Sequence, residues 1–157
     1  MHTEQVIIDT PGPDDSEGLA QLFYEDMKGL GLDTGLDAQR SLARLVVQGA
    51  SSKEPDCVCW VARDAQEVIG VILANFNWSP KFGGRSLWIE SLFVTHSARR
   101  RGVGRLLVEQ LLDWAEDHEI KGGDIEAYRG NTPAGVLYRS LGFHRLGRER
   151  FAYTLEV

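Results

Sequence analysis

The chain has 157 residues, 43% hydrophobic and 25% charged, an ordinary globular composition that excludes a disordered or fibrous chain. No apolar run approaches the roughly 18 residues of a membrane span. Two cysteines, Cys57 and Cys59, are too few for a disulfide scaffold or an all-cysteine zinc site, so a reduced, cytoplasmic setting and no metal are expected.

The polar start Met1-His2-Thr3-Glu4-Gln5 leads straight into a strand-like run, and no signal peptide is expected. Val6-Ile7-Ile8 predicts a short strand ended by Pro11-Gly12-Pro13. Asp14 with Glu17 three residues on has the form of a capping box, and Leu19, Leu22, Phe23 and Met27 follow at helical spacing up to Gly29 and Gly31. A second helix is expected from about Asp37 to Gln48 with Leu42, Leu45 and Val46 inward. Residues 57–62 and 67–78 read as a hairpin, with Cys57 and Cys59 on one face as core residues and with Trp60 and Trp78 in strands, also expected in the core. Residues 86–95, with Trp88, are apolar on both faces and predict a central, covered strand.

At Val103 the apolar period changes to that of a helix ending near His118. A strand is expected over 124–128. Thr132-Pro133 opens a further helix, which ends at Gly142. Residues 143–146 and 151–156 are expected as two closing strands. Neither an internal repeat nor a linker interrupts this order, so residues 1–157 read as a single domain. His96, His118 and His144 are given no catalytic role.

The net charge of −6 argues against a general affinity for nucleic acid, but it is unevenly spread. Residues 1–56 carry eleven acids and four bases, whereas Arg99, Arg100, Arg101 and Arg105 fall within seven residues. That cluster lies between a strand and a helix in the run Arg99-Arg100-Arg101-Gly102-Val103-Gly104-Arg105. No Ser, Thr, Asp or Asn stands immediately before the helix, so its first amide groups lack an obvious internal acceptor, and an anion would satisfy them. Glycines at 102 and 104 admit a phosphate close to the backbone. A dinucleotide fingerprint would need a third glycine where Leu107 stands, and a triphosphate loop would need Gly-Lys-Ser/Thr, which is absent.

Glu90-Ser91-Leu92-Phe93-Val94 followed by Arg99-x-x-Gly102-x-Gly104 resembles the acetyl-coenzyme A motif of the GNAT superfamily of N-acetyltransferases. Asn131-Thr132-Pro133-Ala134-Gly135-Val136-Leu137-Tyr138, with Leu141-Gly142-Phe143, resembles that family's second motif. The resemblance implies an α/β (α+β) fold: a mixed, mostly antiparallel sheet of about seven strands, helices on both faces, and a parallel strand pair that splays apart to admit the cofactor. It implies acetyl-CoA as cosubstrate. Its pantetheine would pair with the backbone of Leu92, Phe93 and Val94. Its pyrophosphate would lie on the segment Arg99, Arg100, Arg101, Gly102, Val103, Gly104 and Arg105. Asn131, Ala134 and Tyr138 would face the thioester.

Acetyl transfer to an amine requires loss of a proton from the ammonium, a donor for the oxyanion, and a proton or charge for the departing thiolate. Tyr138 is the candidate acid, and a backbone N–H near Phe93 and Val94 the oxyanion donor. Glu90 is the candidate base or cation-binding group: a carboxylate in a strand apolar on both faces needs a partner or a task. The first two helices, which shape the acceptor site in the family, carry Glu25, Asp26, Asp33 and Asp37. An acidic mouth favours a small cationic amine: polyamine-, aminoglycoside- or amino-acid-like. A protein lysine or N-terminal amine is the alternative acceptor. From another class, a non-catalytic CoA-binding or nucleic-acid-binding module built on residues 99–105 is the rival. Neither nucleic acid nor a membrane is expected as a partner, and a homodimer is left open.

Overall fold

The structure is a computed structural model that describes residues 6–155. It divides into two compact units, residues 1–126 and residues 127–157. The reading of residues 1–5 lies outside the described residues.

The first unit is built on a five-stranded sheet in chain order: β1 (Val6–Asp9), β2 (Cys57–Asp64), β3 (Glu67–Ser79), β4 (Gly84–Val94) and β5 (Gly123–Ile125). The first three pairings are antiparallel and the last is parallel. Parallel neighbours cannot be joined by a tight turn, so β4 and β5 are connected through α3 (Val103–Asp117). The β2–β3 hairpin closes on Asp64 and Glu67, with Ala65 in the left-handed region at φ 57°.

Two helices, α1 (Ser16–Gly29) and α2 (Leu36–Ser51), pack on one face of the sheet. Leu19, Leu22, Phe23, Ala43, Val46 and Val47 meet Cys59, Val61, Val71, Leu73 and Phe93 there. The other face carries α3, whose Val103 and Leu107 come so close to β3 that a Cβ at Gly70 would lie 3.2 Å from each. Trp114 of α3 stands edge-on to Trp60, with ring centroids 5.9 Å apart. Each fully buried Leu or Ile side chain in these layers contributes about 1.5–3 kcal/mol.

Several expectations change at the level of the stripe. In α2 the buried residues are Gln39, Ala43, Val46 and Val47, whereas Leu42 and Leu45 are exposed. These four fall at i, i+4, i+7 and i+8, a regular stripe about one residue out of phase with the leucines. In α1 the capping box is made by Asp15, which accepts from the Gly12 amide at 2.7 Å, because a short 3-10 turn over Pro13–Asp15 precedes the helix. Glu17 instead pairs with Arg40 of α2. Cys57 and Cys59 are buried and free, as core residues should be, and burial pushes both thiols up, out of the nucleophilic range. Trp78 is 82% exposed, contrary to the expectation of a core role, because the β3–β4 hairpin carries it past the covered part of the sheet.

Asp15 also ties α1 to β2. Arg63 donates to it through Nη2 at 2.8 Å and through Nη1, and this hydrogen bonding holds its carboxyl below the ordinary carboxylate value. A depressed folded-state value stabilises the fold above the unfolded-state value, and that contribution is lost as the pH falls through the folded one. Thermal melts below about pH 4 are therefore expected to show stability falling with acidity, with a shallower acid slope in Asp15→Asn. Equal slopes would show that the pair contributes nothing.

In the second unit the regular element among the described residues is α4 (Thr132–Ser140). Residues 143–146 and 151–155 are not strands, and Glu156 lies outside the described residues. The described sheet thus has five strands rather than about seven. Strand propensity at Phe143, Phe151 and Tyr153 does not suffice, because a strand exists only with a hydrogen-bonded neighbour. The connection Gly147-Arg148-Glu149-Arg150 also lacks a two-residue hairpin turn to set a register.

Candidate active site

The pairing of β4 changes halfway along its length. Leu87, Trp88 and Ile89 pair with Gly123, Asp124 and Ile125 of β5, and the pairing ends there. On the other side, Leu73 pairs with Ser91 and Ala74 with Ile89, so Glu90 is the extra residue of a β-bulge. The strand expected over 124–128 therefore stops at Ile125, one residue short of the position that would oppose the bulge.

The bulge also explains how both faces of this strand are apolar. A one-residue slip moves every later side chain to the other face. Before Glu90, Leu87 and Ile89 share the face of their partners Phe76 and Ala74. After it, Leu92 and Val94 take over that face, opposite Ile72 and Gly70 beneath α3, while Ser91 and Phe93 turn toward α1 and α2. Glu90 is exposed, and among the described residues it makes no ion pair. The expectation of a buried carboxylate is thus corrected: an apolar neighbourhood in sequence became an exposed residue because the bulge takes it out of the alternation.

From Glu90 to Val94 the strand is paired only on its β3 side. The Thr95 amide donates to Ile69 at 2.8 Å. By antiparallel alternation, the polar groups of Phe93 then point to Val71, and those of Leu92 and Val94 point away from β3. The open edge thus consists of Leu92 and Val94. Phe93 packs its ring in the core shared with α1 and α2.

The chain then turns through a 3-10 helix, His96–Ala98, into α3. Arg100 has φ 66°, and Gly102 at the helix N-cap has φ 75° and ψ 15°, with no side chain capping the helix. A left-handed residue followed by helical ones turns successive amides into one concavity, an arrangement that suits an anion. Leu106 makes the first intrahelical bond, to Gly102, so the amides of Val103 and Gly104 precede any helical acceptor. A Cβ at Gly102 would meet nothing within 4 Å, so the mouth of this concavity is open. These features fit a pyrophosphate.

The four arginines are not equivalent. Arg99 donates through Nε to the Val94 carbonyl at 3.0 Å and lies over the Phe93 ring at 5.3 Å. Arg101 pairs with Asp64 at the end of β2, at 2.9 Å, which anchors the loop to the sheet. Arg100 and Arg105 are exposed. The loop therefore offers an anion backbone amides and the charge of Arg100, with Arg99 and Arg101 holding its shape.

In the second unit, Asn131 caps α4 by accepting from the Ala134 amide at 3.3 Å, which leaves its side-chain NH2 as a donor. Tyr138 lies two turns along α4, with its ring 6.0 Å from that of Phe143. His118 stacks on Trp114 at 4.1 Å at the end of α3, in keeping with a structural role.

Three features of the first unit were not anticipated: the bulge at Glu90, the Asp64 anchor of Arg101, and the contact of Asp26 with Ser91, at 3.3 Å. The bulge does leave a trace in sequence. The apolar residues Leu87 and Ile89 change parity to Leu92 and Val94 across Glu90, which a regular strand with one covered face would not do.

Parallel strands whose pairing ends at a bulge, followed by an uncapped glycine-led helix, define a mixed α/β fold with an open strand edge beside an anion-suited helix start. The chain belongs to the acetyltransferase (GNAT) family, whose sequence model matches residues 18–143. It is 32% identical over 100 residues to streptothricin acetyltransferase of Escherichia coli, a match covering 64% of this chain and 55% of that protein. The chain spans about half the length of the curated relatives it matches. Among solved structures it resembles a possible acetyltransferase from Clostridium difficile 630, at TM-score 0.80 and 21% identity over 98% of this chain and 99% of that one. It also resembles an aminoglycoside N-acetyltransferase in complex with CoA, at TM-score 0.76 and 18% identity over 95% and 94% of the two chains. These likenesses establish the fold. Among the described residues no helix is long and apolar enough to cross a membrane, and no group of His, Cys, Asp and Glu is arranged to hold a metal.

Proposed function

We propose that the protein is an N-acetyltransferase that moves an acetyl group from acetyl-CoA to a primary amine, with a small cationic amine as acceptor. The observation that carries this reading is the open edge of β4 at Leu92 and Val94, continuing directly into the uncapped start of α3 at Gly102. A strand-like amide chain ending in a pyrophosphate needs both features in that order. The names of an N-acetyltransferase relative and of the aminoglycoside N-acetyltransferase structure support an amine acceptor.

Bound acetyl-CoA supplies an activated acetyl group as a thioester. On this reading, the Leu92 and Val94 backbone pairs with the pantetheine. The amides of Val103 and Gly104, with Arg100, hold the pyrophosphate. The outward N–H of Leu92, at the end of the open edge away from the pyrophosphate loop, donates to the carbonyl oxygen as it gains charge. Glu90, exposed at the bulge, takes the acceptor's proton through water or attracts its ammonium. Asn131 and Tyr138 serve the thioester end, with Tyr138 giving its hydroxyl proton to the departing thiolate.

The test combines two measurements. Acetyl-CoA is expected to raise the melting temperature, since a ligand that binds only the native state stabilises it by mass action. CoA release is then followed over alkyl diamines, aminoglycosides, amino-acid amides and lysine-ended peptides, with turnover expected on cationic small amines. Binding of acetyl-CoA without CoA release on any amine would overturn the proposed activity. Retention on polyanions with strong salt dependence and no response to acetyl-CoA would favour a nucleic-acid module.

A further inference from the structure

We infer that Glu25 of α1 is a positioning residue for the pyrophosphate loop: it fixes where the chain leaves β4 and so sets the direction of the amides that follow. This rests on the proposed binding of acetyl-CoA.

The loop starts at the last pairing bond of β4, from the Thr95 amide to Ile69 at 2.8 Å, and ends where Leu106 bonds to Gly102. Within it the bonds reach only a few residues. The Ala98 amide donates to Thr95 at 3.0 Å, the Arg99 amide to His96 at 3.4 Å, and Arg99 Nε to Val94 at 3.0 Å. Arg100 stands in the left-handed region at φ 66°. A residue with a side chain keeps that conformation only where its surroundings hold it there. The loop must therefore be fastened to the rest of the fold at both ends. Next to α3, the pairing of Arg101 with Asp64 does this.

Glu25 fastens the end next to β4 and uses both carboxylate oxygens. Oε1 accepts from the Thr95 hydroxyl at 2.9 Å. Oε2 accepts from the same hydroxyl at 3.1 Å and from the His96 amide at 3.1 Å. His96 is the first residue of the 3-10 turn, so its amide has no acceptor within the turn. A bond from that amide to a carboxylate is roughly twice as strong as one between neutral groups.

Thr95 supplies a second observation. It occupies the N-cap of the turn, where a threonine oxygen ordinarily accepts from an amide two or three residues on. Here the side chain makes no such bond. Its hydroxyl donates instead to Glu25, 70 residues away in sequence. A local cap has been exchanged for a long-range one, and the turn takes its orientation from α1.

The consequence is specific to one part of the cofactor. Pantetheine along Leu92 and Val94 and pyrophosphate on the amides of Val103 and Gly104 belong to one molecule, so the two sites must lie at a fixed separation. Glu25 acts on the segment between them. Without it, β4 keeps its pairing with β3, whereas the amides that meet the pyrophosphate lose their preset direction, and binding must supply the ordering.

The test uses the full chain. Glu25→Ala is expected to raise the calorimetric Kd of acetyl-CoA about tenfold, with kcat at saturating acetyl-CoA changed less than about twofold. S-acetylpantetheine, an acyl donor without the diphosphate, separates positioning from a general structural role: its kcat/KM is expected to change less than about twofold. Glu25→Gln keeps one oxygen as acceptor and is expected between wild type and Glu25→Ala. Thr95→Val removes the hydroxyl and leaves the bond to the His96 amide, so a rise in Kd of about threefold is expected; this variant carries the test where Glu25→Ala fails to fold. An unchanged Kd for acetyl-CoA, or an equal loss of kcat/KM on both donors, overturns the assignment and leaves the acetyltransferase reading intact. A wild-type protein that binds acetyl-CoA but releases CoA on no amine overturns that reading, and the comparison of Kd values still decides the role of Glu25.

Discussion

Replacing Gly102 by valine should weaken acetyl-CoA binding about tenfold or more. Gly102 sits at φ 75°, in the left-handed region, where a side chain costs about 1–2 kcal/mol and a β-branched one is worst placed. A Cβ there would meet no protein atom within 4 Å, so the loss does not come from overpacking. It comes from two other sources: the strain tends to reorient the amides of Val103 and Gly104, and the isopropyl group fills the mouth through which a pyrophosphate would reach them. The apo protein should lose roughly the strain energy in a thermal melt. The stabilisation given by acetyl-CoA should shrink by more than that. Calorimetric titration separates the two effects, and an unchanged dissociation constant would remove the α3 N-terminus as the pyrophosphate site.

Tyr138→Phe is expected to lower kcat about a hundredfold, the usual scale for removing a positioned proton donor, and to spare acetyl-CoA binding. The substitution discriminates well because phenylalanine keeps the ring contact with Phe143, just beyond α4, and removes only the hydroxyl. If Tyr138 serves packing alone, turnover stays where it was. If it donates to the thiolate, turnover falls while the dissociation constant holds. Single-turnover measurement of CoA release, compared between wild type and variant, reads the chemical step directly.

Local pattern was enough for elements whose signal is contained in a few residues. The helix beginning at Val103, the glycine-led loop before it, the Asn131 region opening α4 and the β2–β3 hairpin were all legible, because periodicity and turn chemistry act over one or two turns of chain. The same holds for the buried pair Cys57 and Cys59, whose alternation on one strand face needs no knowledge of what covers it. Their burial is a consequence of β2 lying between α1 and α2 on one side and α3 on the other.

Other features depended on partners far away in sequence. Leu42 and Leu45 read as inward, but the docking angle of α2 on α1 and β2 selected the neighbouring stripe of Ala43, Val46 and Val47. The closing strands expected beyond Phe143 have the right residues but no described hydrogen-bonded neighbour. Glu90 read as a buried carboxylate, yet its exposure was decided by a mismatch of one residue between β3 and β4.

By itself, then, the sequence determined the family, the order of helices and strands, and the backbone of the phosphate loop, since glycine placement and apolar period are local properties. The tertiary structure alone decided which edge of β4 is open, that Arg101 anchors the loop through Asp64, and that Asp26 meets Ser91 of β4. Those outcomes depend on pairing across dozens of residues, where a single bulge or a single competing cation changes which groups are left unpartnered.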